Sequence, residues 1–394
     1  MKLIKRCYRG KHLQIIERSG EKIKDLVVAE LKKLQVYKEK TMSCIVWGCK
    51  EKSLESARWI MNHTKYNLIG LADNDKDKWN KCYDIEGRTL KCYPPSDIDF
   101  EKCIVFCGMH LPTCLKVIDE LGIENAFPIE TAVYENRWSE IEQIIDGYFD
   151  DDESKESYCS ILYYRMTGDF SYMQALYKED QYFYPKAFQT GTFSLDNDIF
   201  VDCGAYCGDT IEKYINKCEG IFKTIYGFEI GEKQFEAMQI RCRRLKQEWA
   251  LEDNQIKLYP EGVGDENTRA YLSSGVTESK ASMRISGSGT SRCSIVKLDD
   301  ILLQGATFIK MDIEGYELKA LKGAFKVIKE YQPRLAISIY HGVTDMIDIP
   351  VLIKSINHSY KMAFALHSNS DVDGVLYCWI DGAIGGNYPG IFEI

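Results

Sequence analysis

The ten residues VDCGAYCGDT, from Val201 to Thr210, combine an acid, two glycines and a helix start in one short stretch. An apolar run precedes them and the helix-like DTIEKYINKC follows, so they form the turn between a strand and a helix. Gly204 and Gly208 let the backbone approach a ligand closely, and the start of the helix presents free N–H groups. This arrangement is typical of a site for a nucleotide-like cofactor, and both NAD and S-adenosylmethionine are candidates.

Two features of the sequence separate these candidates. The dinucleotide pattern G-x-G-x-x-G is incomplete, because only Gly204 and Gly208 are present. Asp202 at the strand end would repel a pyrophosphate, whereas a carboxylate attracts the positive sulfonium and amino groups of S-adenosylmethionine. Glu229 ends the next predicted strand, about where an acid contacts ribose hydroxyls in this kind of fold. The sequence therefore favours S-adenosylmethionine as the cofactor.

A second stretch, FIKMDIEGYELKALKGA at residues 308–324, adds groups that can move a proton. Asp312 ends a predicted strand, Glu314 follows two residues later, and His341 ends the next strand in SIYH. Ligands of open α/β sheets bind at the carboxyl ends of the strands, so these three residues are candidates for a catalytic base. Simpler roles stay open: Asp312 orienting the amino group of the cofactor, Glu314 capping a helix, and His341 acting as a hydrogen-bonded residue at a strand end.

Alternating strands and helices must position these residues. The pattern predicts an α/β fold class with two doubly wound Rossmann-like domains joined by a helical segment. Seven strands are predicted in the C-terminal domain, and the last two, KMAFALHS and GVLYCWI, lack an intervening helix, which predicts an antiparallel edge strand. The predicted parts are an N-terminal helical extension at 1–40, a Rossmann-like nucleotide-binding-type domain at 41–135, a helical linker at 136–190 and the C-terminal domain at 191–394.

The chain from about Asp198 to Trp379 resembles the FkbM family of S-adenosylmethionine-dependent methyltransferases. The motifs that carry the resemblance stand in the order and at the spacing of the family: VDCGAYCGDT, YGFEIG, VKLDDIL, IKMDIEGYELKALKGA and PRLAISIYH. The resemblance implies a class I methyltransferase sheet and methyl transfer to a hydroxyl oxygen of a sugar, glycan or natural-product acceptor. Cys207 departs from the polar residue that members often carry near this position.

The glycine turn and the resemblance together imply which residues hold the cofactor. The turn and the ends of the second, third and fourth strands would contact it, and the third strand would meet the adenine. The candidate residues are Asp202, Gly204, Ala205, Tyr206, Gly208, Asp209, Thr210, Glu229, Ile230, Gly262, Val263 and Asp312. Gly262 and Val263 also fit an ordinary turn between a strand and a loop.

The first predicted domain carries an incomplete version of the same pattern. CIVWGCKEKS has one glycine, Gly48, where a dinucleotide turn needs three, and Asp73 ends the next strand. A nucleotide or nucleotide-sugar site at Gly48, Asp73 and Gly108 is one interpretation. A scaffold for homo-oligomer assembly or acceptor docking is the other, and the missing glycines favour it. Two other functions stay open: an NAD- or nucleotide-sugar-dependent enzyme that uses this domain, and a non-catalytic S-adenosylmethionine-binding scaffold.

The stretch SSGVTESKASMRISGSGTSR at residues 273–292 is rich in serine, glycine and threonine. Such a composition predicts a flexible loop. Its position after the third strand would let it close over a substrate, and an edge insertion without a role fits equally well.

Composition excludes several classes of partner. A net charge of −9 over 394 residues gives no basic surface for nucleic acid or for an anionic membrane. No apolar run is long enough for a membrane span or a secretory signal, so a cytoplasmic protein is expected. A small-molecule or glycan acceptor is what the family resemblance implies. The 15 cysteines form no CxxC pair, which predicts reduced, buried thiols. No metal site is predicted, because Asp312 and Glu314 have no visible third ligand.

Overall fold

The computed structural model describes residues 20–183, 192–193, 195–274, 283–286, 291–368, 373–381 and 386–387. The chain folds as two units: the described residues up to 146 with 155–176 form the first, and 147–154 with the described residues from 177 onward form the second. The start of the predicted N-terminal extension lies outside the described residues. Within the described ranges, none of the helices has both the length and the apolar character needed to cross a membrane.

A six-stranded sheet with flanking helices forms the first unit. Its strand order is β3-β4-β2-β1-β5-β6, and neighbours pair in parallel except for the antiparallel hairpin β3–β4, which the sequence analysis did not predict. The elements up to residue 167 are α1 (Gly20–Lys40), β1 (Ser43–Trp47), α2 (Glu51–His63), β2 (Asn67–Ala72), a 3-10 turn (Lys76–Lys78), β3 (Cys82–Ile85), β4 (Arg88–Tyr93), a 3-10 turn (Pro95–Asp97), β5 (Ile104–Cys107), α3 (Leu111–Leu121), β6 (Ala126–Pro128), α4 (Ile129–Asn136), α5 (Trp138–Gln143), a π turn (Ile144–Tyr148) and α6 (Asp152–Thr167).

The second unit is built on a seven-stranded sheet with the order β10-β9-β8-β15-β16-β18-β17. Its elements are β7 (Thr192–Phe193), a 3-10 turn (Leu195–Asn197), β8 (Ile199–Cys203), α7 (Asp209–Lys217), β9 (Thr224–Phe228), α8 (Glu232–Glu248), β10 (Ile256–Tyr259), β11 (Glu261–Val263), β12 (Thr268–Ser274), β13 (Met283–Ser286), β14 (Ser291–Val296), α9 (Leu298–Ile301), β15 (Phe308–Met311), α10 (Glu317–Gly323), α11 (Phe325–Tyr331), β16 (Arg334–Ser338), α12 (Asp345–Ile356), β17 (Lys361–Leu366), β18 (Gly374–Trp379) and β19 (Gly386–Asn387).

Strand direction in this sheet confirms the predicted fold class. The neighbours from β10 to β16 pair in parallel, whereas β18 pairs antiparallel with both β16 and β17. The antiparallel strand is therefore β18, which is next to the edge of the sheet. The edge strand itself is β17. The parallel strands all end at the same side of the sheet, which brings the loops after β8, β9 and β15 together.

A small separate sheet, with the order β11-β14-β12-β13, corrects two predictions. Gly262 and Val263 do not end the third strand: that strand stops at Tyr259, and they belong to β11, which pairs with β14. The predicted loop at 273–292 contains β13 and the beginning of β14, so its described part is strand. Residues 275–282 and 287–290 of this stretch lie outside the described residues. The prediction of a loop from polar composition was wrong for these residues, because hydrogen bonds to partner strands determine their conformation.

Buried aromatic rings hold the central strands of the second unit in register. Phe200 on β8 stacks on Phe308 of β15 and on Tyr214 of α7, with ring centroids 4.9 and 4.4 Å apart. At the amino ends of the strands, the buried carboxylate of Asp198 accepts two hydrogen bonds from the Arg334 guanidinium, at 2.9 and 3.0 Å. This core holds the central strands in fixed positions. Their carboxyl ends, on the other side of the sheet, carry the polar residues of the candidate site.

Candidate active site

A cavity of about 310 Å³ opens at the carboxyl ends of the central strands of the second unit. Loops that follow β8, β9 and β15 form its walls, together with β11 and the turn before β7. The described residues that line it are Gln181, Tyr182, Gly204, Tyr206, Asp209, Thr210, Phe228, Glu229, Ile230, Glu261, Gly262, Val263, Lys310, Asp312, Ile313, Glu314, Tyr340 and Asp373.

The glycine turn after β8 packs directly against the end of β15. Gly204 has a φ of +77°, and a Cβ at this position would lie 1.9 Å from the carbonyl oxygen of Asp312. The N–H groups of Gly204 and Ala205 donate to the carbonyl oxygen of Phe228 at the end of β9, at 3.0 and 2.9 Å. Position 204 therefore requires a glycine, both for its backbone conformation and for lack of space. The turn connects the ends of β8, β9 and β15.

Glu229 connects the turn to the loop after β9. Its Oε2 accepts a hydrogen bond from the N–H of Tyr206 at 2.9 Å, and its Oε1 accepts one from the N–H of Gly231 at 2.6 Å. Burial raises the pKa of this carboxyl, and the backbone donors oppose the shift. Each oxygen keeps a lone pair for a ligand hydroxyl, because a carboxylate can accept about four hydrogen bonds in all.

Asp202 does not line the cavity. The structure therefore does not place it in the direct contact with a cationic ligand that the sequence analysis predicted. The residue is fully buried, and Lys310 lies beside it in the β8–β15 register. The Lys310 Nζ lies 2.9 Å from Asp202 Oδ1 and donates to the carbonyl oxygen of Gly204 at 2.8 Å. Burial would lower the pKa of Lys310, but the Asp202 and Asp312 charges raise it. The Asp202–Lys310 pair thus stabilises the glycine turn through the hydrogen bond from Lys310 to the Gly204 carbonyl.

The carboxylate of Asp312 does reach the cavity, where it is held by two tyrosines. The Tyr182 hydroxyl donates to its Oδ2 at 2.5 Å, and the Tyr340 hydroxyl donates to its Oδ1 at 3.5 Å. Burial by itself would raise the pKa of Asp312, but the positive charges of His341 and Lys310 hold it below its usual value. Asp312 is therefore an ionised carboxylate at neutral pH.

His341 lies behind the cavity wall among three carboxylates. Its Nδ1 is 2.9 Å from Glu317 Oε1, and its Nε2 is 3.5 Å from Asp312 Oδ1 and 3.8 Å from Glu314 Oε2. Burial would lower the pKa of His341, but the Glu317, Asp312 and Glu314 charges raise it to about 9. A raised pKa and a position behind the wall favour Asp312 and Glu314 over His341 among the three candidate bases of the sequence analysis.

The structure brings most of the predicted site residues together around the cavity. Ten of them line it: Gly204, Tyr206, Asp209, Thr210, Glu229, Ile230, Gly262, Val263, Asp312 and Glu314. Asp202, Ala205, Gly208 and His341 are not among its lining residues. The sequence analysis missed Tyr182, Glu261, Lys310 and Glu317. A lysine inside the apolar strand FIKM was the available signal for Lys310, since an unpaired ammonium is rarely buried.

In the first unit, the glycines that suggested a nucleotide site are explained by packing. A Cβ on Gly48 would lie 2.2 Å from the Oγ of Ser53, and one on Gly108 would lie 2.3 Å from the Oγ of Ser56. The two serines belong to α2, so the glycines let this helix approach the strands. Asp73 accepts a hydrogen bond from the N–H of Cys49 at 3.1 Å and from Lys78 at 2.8 Å. Packing and hydrogen bonds within the first unit thus account for Gly48, Gly108 and Asp73.

Comparison with known proteins confirms the resemblance seen in the sequence. Residues 202–360 match the family model described as Methyltransferase FkbM domain. The chain is similar to the crystal structure of Methyltransferase FkbM from Methylobacillus flagellatus KT, with 19% identity, a TM-score of 0.56, and coverage of 91% of this chain and 100% of that chain. This likeness shows the fold. An rRNA methylase from Streptococcus thermophilus matches with 15% identity and a TM-score of 0.30, over 50% of this chain and 92% of that chain. No curated protein sequence matches the chain.

Proposed function

We propose that this protein is an S-adenosylmethionine-dependent O-methyltransferase, because residues 202–360 match the family model described as Methyltransferase FkbM domain. Its acceptor is a hydroxyl group of a sugar, glycan or natural product. The α/β fold of the described chain is similar to that of the Methyltransferase FkbM crystal structure, which supports this activity. The cavity at the strand ends is the site of the reaction.

The charge of the cavity wall is the observation that carries the proposal. Six carboxylates stand among the described lining residues: Asp209, Glu229, Glu261, Asp312, Glu314 and Asp373. The single lysine in the lining, Lys310, is beside the buried carboxylate of Asp202. A wall with this excess of negative charge attracts a sulfonium and an ammonium group, whereas it repels the pyrophosphate of NAD.

The residues present fit S-adenosylmethionine at both ends of the cavity. Glu229 would accept hydrogen bonds from the ribose hydroxyls, and the apolar side chains of Ile230 and Val263 would contact the adenine. Glu261 Oε2 is buried without a hydrogen-bond partner in the described structure, so an N–H donor of the ligand would satisfy it. Asp312 would face the positive amino acid portion. The cofactor supplies a methyl group activated by its bond to a positive sulfur.

The carboxylates of Asp312 and Glu314 would prepare the acceptor. A neutral sugar hydroxyl is a poor nucleophile, and a positioned base adds roughly 10²–10⁴ in rate. Glu314 lines the cavity, so its Oε2 would receive the hydroxyl proton while the oxygen gains the methyl group. His341, behind the wall, would hold Asp312 and Glu314 in place. Fixing the acceptor against the cofactor would contribute about 7–11 kcal/mol through orientation.

Aromatic rings at the cavity support a sugar or glycan as the acceptor. The Tyr206 side chain is 42% exposed at the mouth of the cavity, and Tyr340 lies on its wall. Such rings offer flat apolar surfaces beside polar groups, which suits the two kinds of surface on a sugar ring. Incubation with radiolabelled S-adenosylmethionine and a panel of glycans tests this class. The expected product is a methyl ether that withstands mild base; a base-labile methyl ester would contradict transfer to a hydroxyl.

Calorimetry on the purified protein tests the cofactor assignment. We expect S-adenosylmethionine and S-adenosylhomocysteine to bind at about micromolar concentrations and NADH to bind far more weakly. Glu229→Gln should weaken S-adenosylmethionine binding by at least about tenfold, because an amide nitrogen cannot accept the Tyr206 or Gly231 N–H. Glu232→Gln, at an exposed position three residues along, is the matched control and should leave the affinity unchanged. Tighter binding of NADH, or unchanged affinity in Glu229→Gln, would overturn the assignment.

A further inference from the structure

Three side chains from three different elements meet at the cavity wall: Asp312 lines the cavity, and Glu317 and His341 lie behind it. Asp312 follows β15, Glu317 is the first residue of α10, and His341 follows β16. One donor atom from each lies within 4.8 Å of the others. Bonds of about 2.1 Å to one ion hold its ligand atoms no more than about 4.2 Å apart, so a pair at the 4.8 Å limit must close by about 0.6 Å for opposite ligands and by more for neighbouring ones. We propose that these residues bind one divalent transition-metal ion.

Glu317 gives independent support for a cation at this place. It is fully buried, and its Oε2 has no hydrogen-bond partner among the described residues. Its Oε1 accepts the N–H of Ile313 at 2.8 Å and lies 2.9 Å from His341 Nδ1, so the side chain is held firmly. A buried carboxylate oxygen that faces no donor is costly, and coordination to a cation removes that cost.

The arrangement of charge points the same way. The carboxylates of Asp312, Glu314 and Glu317 surround one imidazole, so the cluster keeps a net negative charge even when His341 is protonated. A divalent ion neutralises more of this charge than a proton does. The distance of 3.5 Å from His341 Nε2 to Asp312 Oδ1 is long for a hydrogen bond and close to the separation of two ligands of one ion. Glu317 contacts the other ring nitrogen, so the imidazole must turn to face both Asp312 and Glu317 with one nitrogen.

The donor set selects the class of metal. One imidazole nitrogen with carboxylate oxygens suits Mn²⁺, Fe²⁺ or Zn²⁺, whereas Mg²⁺ prefers oxygen ligands alone and keeps several waters. The sequence analysis found no third ligand beside Asp312 and Glu314. The fold supplies two, Glu317 and His341, which follow different strands of the sheet.

The role of the ion rests on the proposed function, whereas its binding does not. Bound to the ion, the acceptor hydroxyl would lose its proton more easily. The proton would pass to Glu314, the oxygen would form its bond to the methyl carbon, and the carbon–sulfur bond would break, leaving a neutral thioether. Glu314 lines the cavity in which the acceptor would lie, so it would receive this proton.

Titration of the full chain with Mn²⁺ after chelation and desalting tests the site. We expect one Mn²⁺ per chain by calorimetry, and an electron paramagnetic resonance signal that shows coupling to an imidazole nitrogen. Glu317→Gln should weaken Mn²⁺ binding by at least about tenfold, and His341→Gln should remove the nitrogen coupling. Glu261→Gln is the matched control: it removes another cavity carboxylate with an unpartnered buried oxygen, and Mn²⁺ affinity should stay within twofold.

Absence of Mn²⁺ binding to the wild type, or equal Mn²⁺ affinity in Glu317→Gln and wild type, would overturn the proposal. If Glu317→Gln does not fold, Asp312→Asn replaces it with the same expectation, because Asp312 lines the cavity. The calorimetry with S-adenosylmethionine stands apart from this test. Cofactor binding without Mn²⁺ binding contradicts the metal site alone, and Mn²⁺ binding without cofactor binding contradicts the proposed function alone.

Discussion

Replacing Gly204 by alanine is expected to weaken S-adenosylmethionine binding by about 100-fold or more. The new Cβ would lie 1.9 Å from the carbonyl oxygen of Asp312 and 2.9 Å from its carbonyl carbon. Both are backbone atoms at the end of β15, so the clash cannot be relieved by turning a side chain. The positive φ of +77° adds about 1–2 kcal/mol of strain for any residue with a Cβ. The turn must move away from β15, and Glu229 then loses the N–H of Tyr206.

Calorimetry on folded Gly204→Ala protein measures this effect. Gly87→Ala separates backbone strain from the clash, because Gly87 has a φ of +81° with nothing within 4 Å of its Cβ position. That control should lower stability slightly and leave cofactor affinity as in the wild type. Affinity within threefold of the wild type in Gly204→Ala would show that the turn does not contribute to the binding site.

Replacing Lys310 by methionine is expected to destabilise the second unit by about 3–5 kcal/mol. The change leaves the fully buried carboxylate of Asp202 without the ammonium that lies 2.9 Å away, and the carbonyl oxygen of Gly204 loses its donor. The double variant Lys310→Met with Asp202→Asn should recover most of this loss, because the buried charge is then absent as well.

Hydrogen exchange of the amides in β8 and β15 reports the local stability directly. Protection in Lys310→Met should fall by about two orders of magnitude or more, and the double variant should regain most of it. Lys322→Met removes an exposed lysine and should stay within about 0.5 kcal/mol of the wild type. An equally large loss in the double variant would show that Lys310 acts through packing and not through the charge of Asp202.

Local patterns were sufficient for the seven-stranded sheet. The strands β8, β9, β15, β16, β17 and β18 coincide with short, largely apolar runs, because strands buried on both faces need mostly apolar residues. The edge strand β10 is less buried and was identified from its place in the strand–helix alternation. The β3–β4 hairpin and the sheet of β11 to β14 were missed. In β3 and β4 most residues are exposed or half-buried. Such segments become strands only because partner strands satisfy their backbone groups.

The sequence by itself determined the glycine turn, the acid after β9 and the motif that ends β15. Each depends on neighbours within a few residues, so Gly204, Glu229 and Asp312 could be identified without coordinates. Only the tertiary structure decided which polar groups meet. The register between β8 and β15 pairs Lys310 with Asp202, so the Asp202 carboxylate contacts Lys310 and does not line the cavity. The order of the strands places His341 beside Glu317. Such pairings depend on contacts between residues far apart in the chain, which a local pattern does not encode.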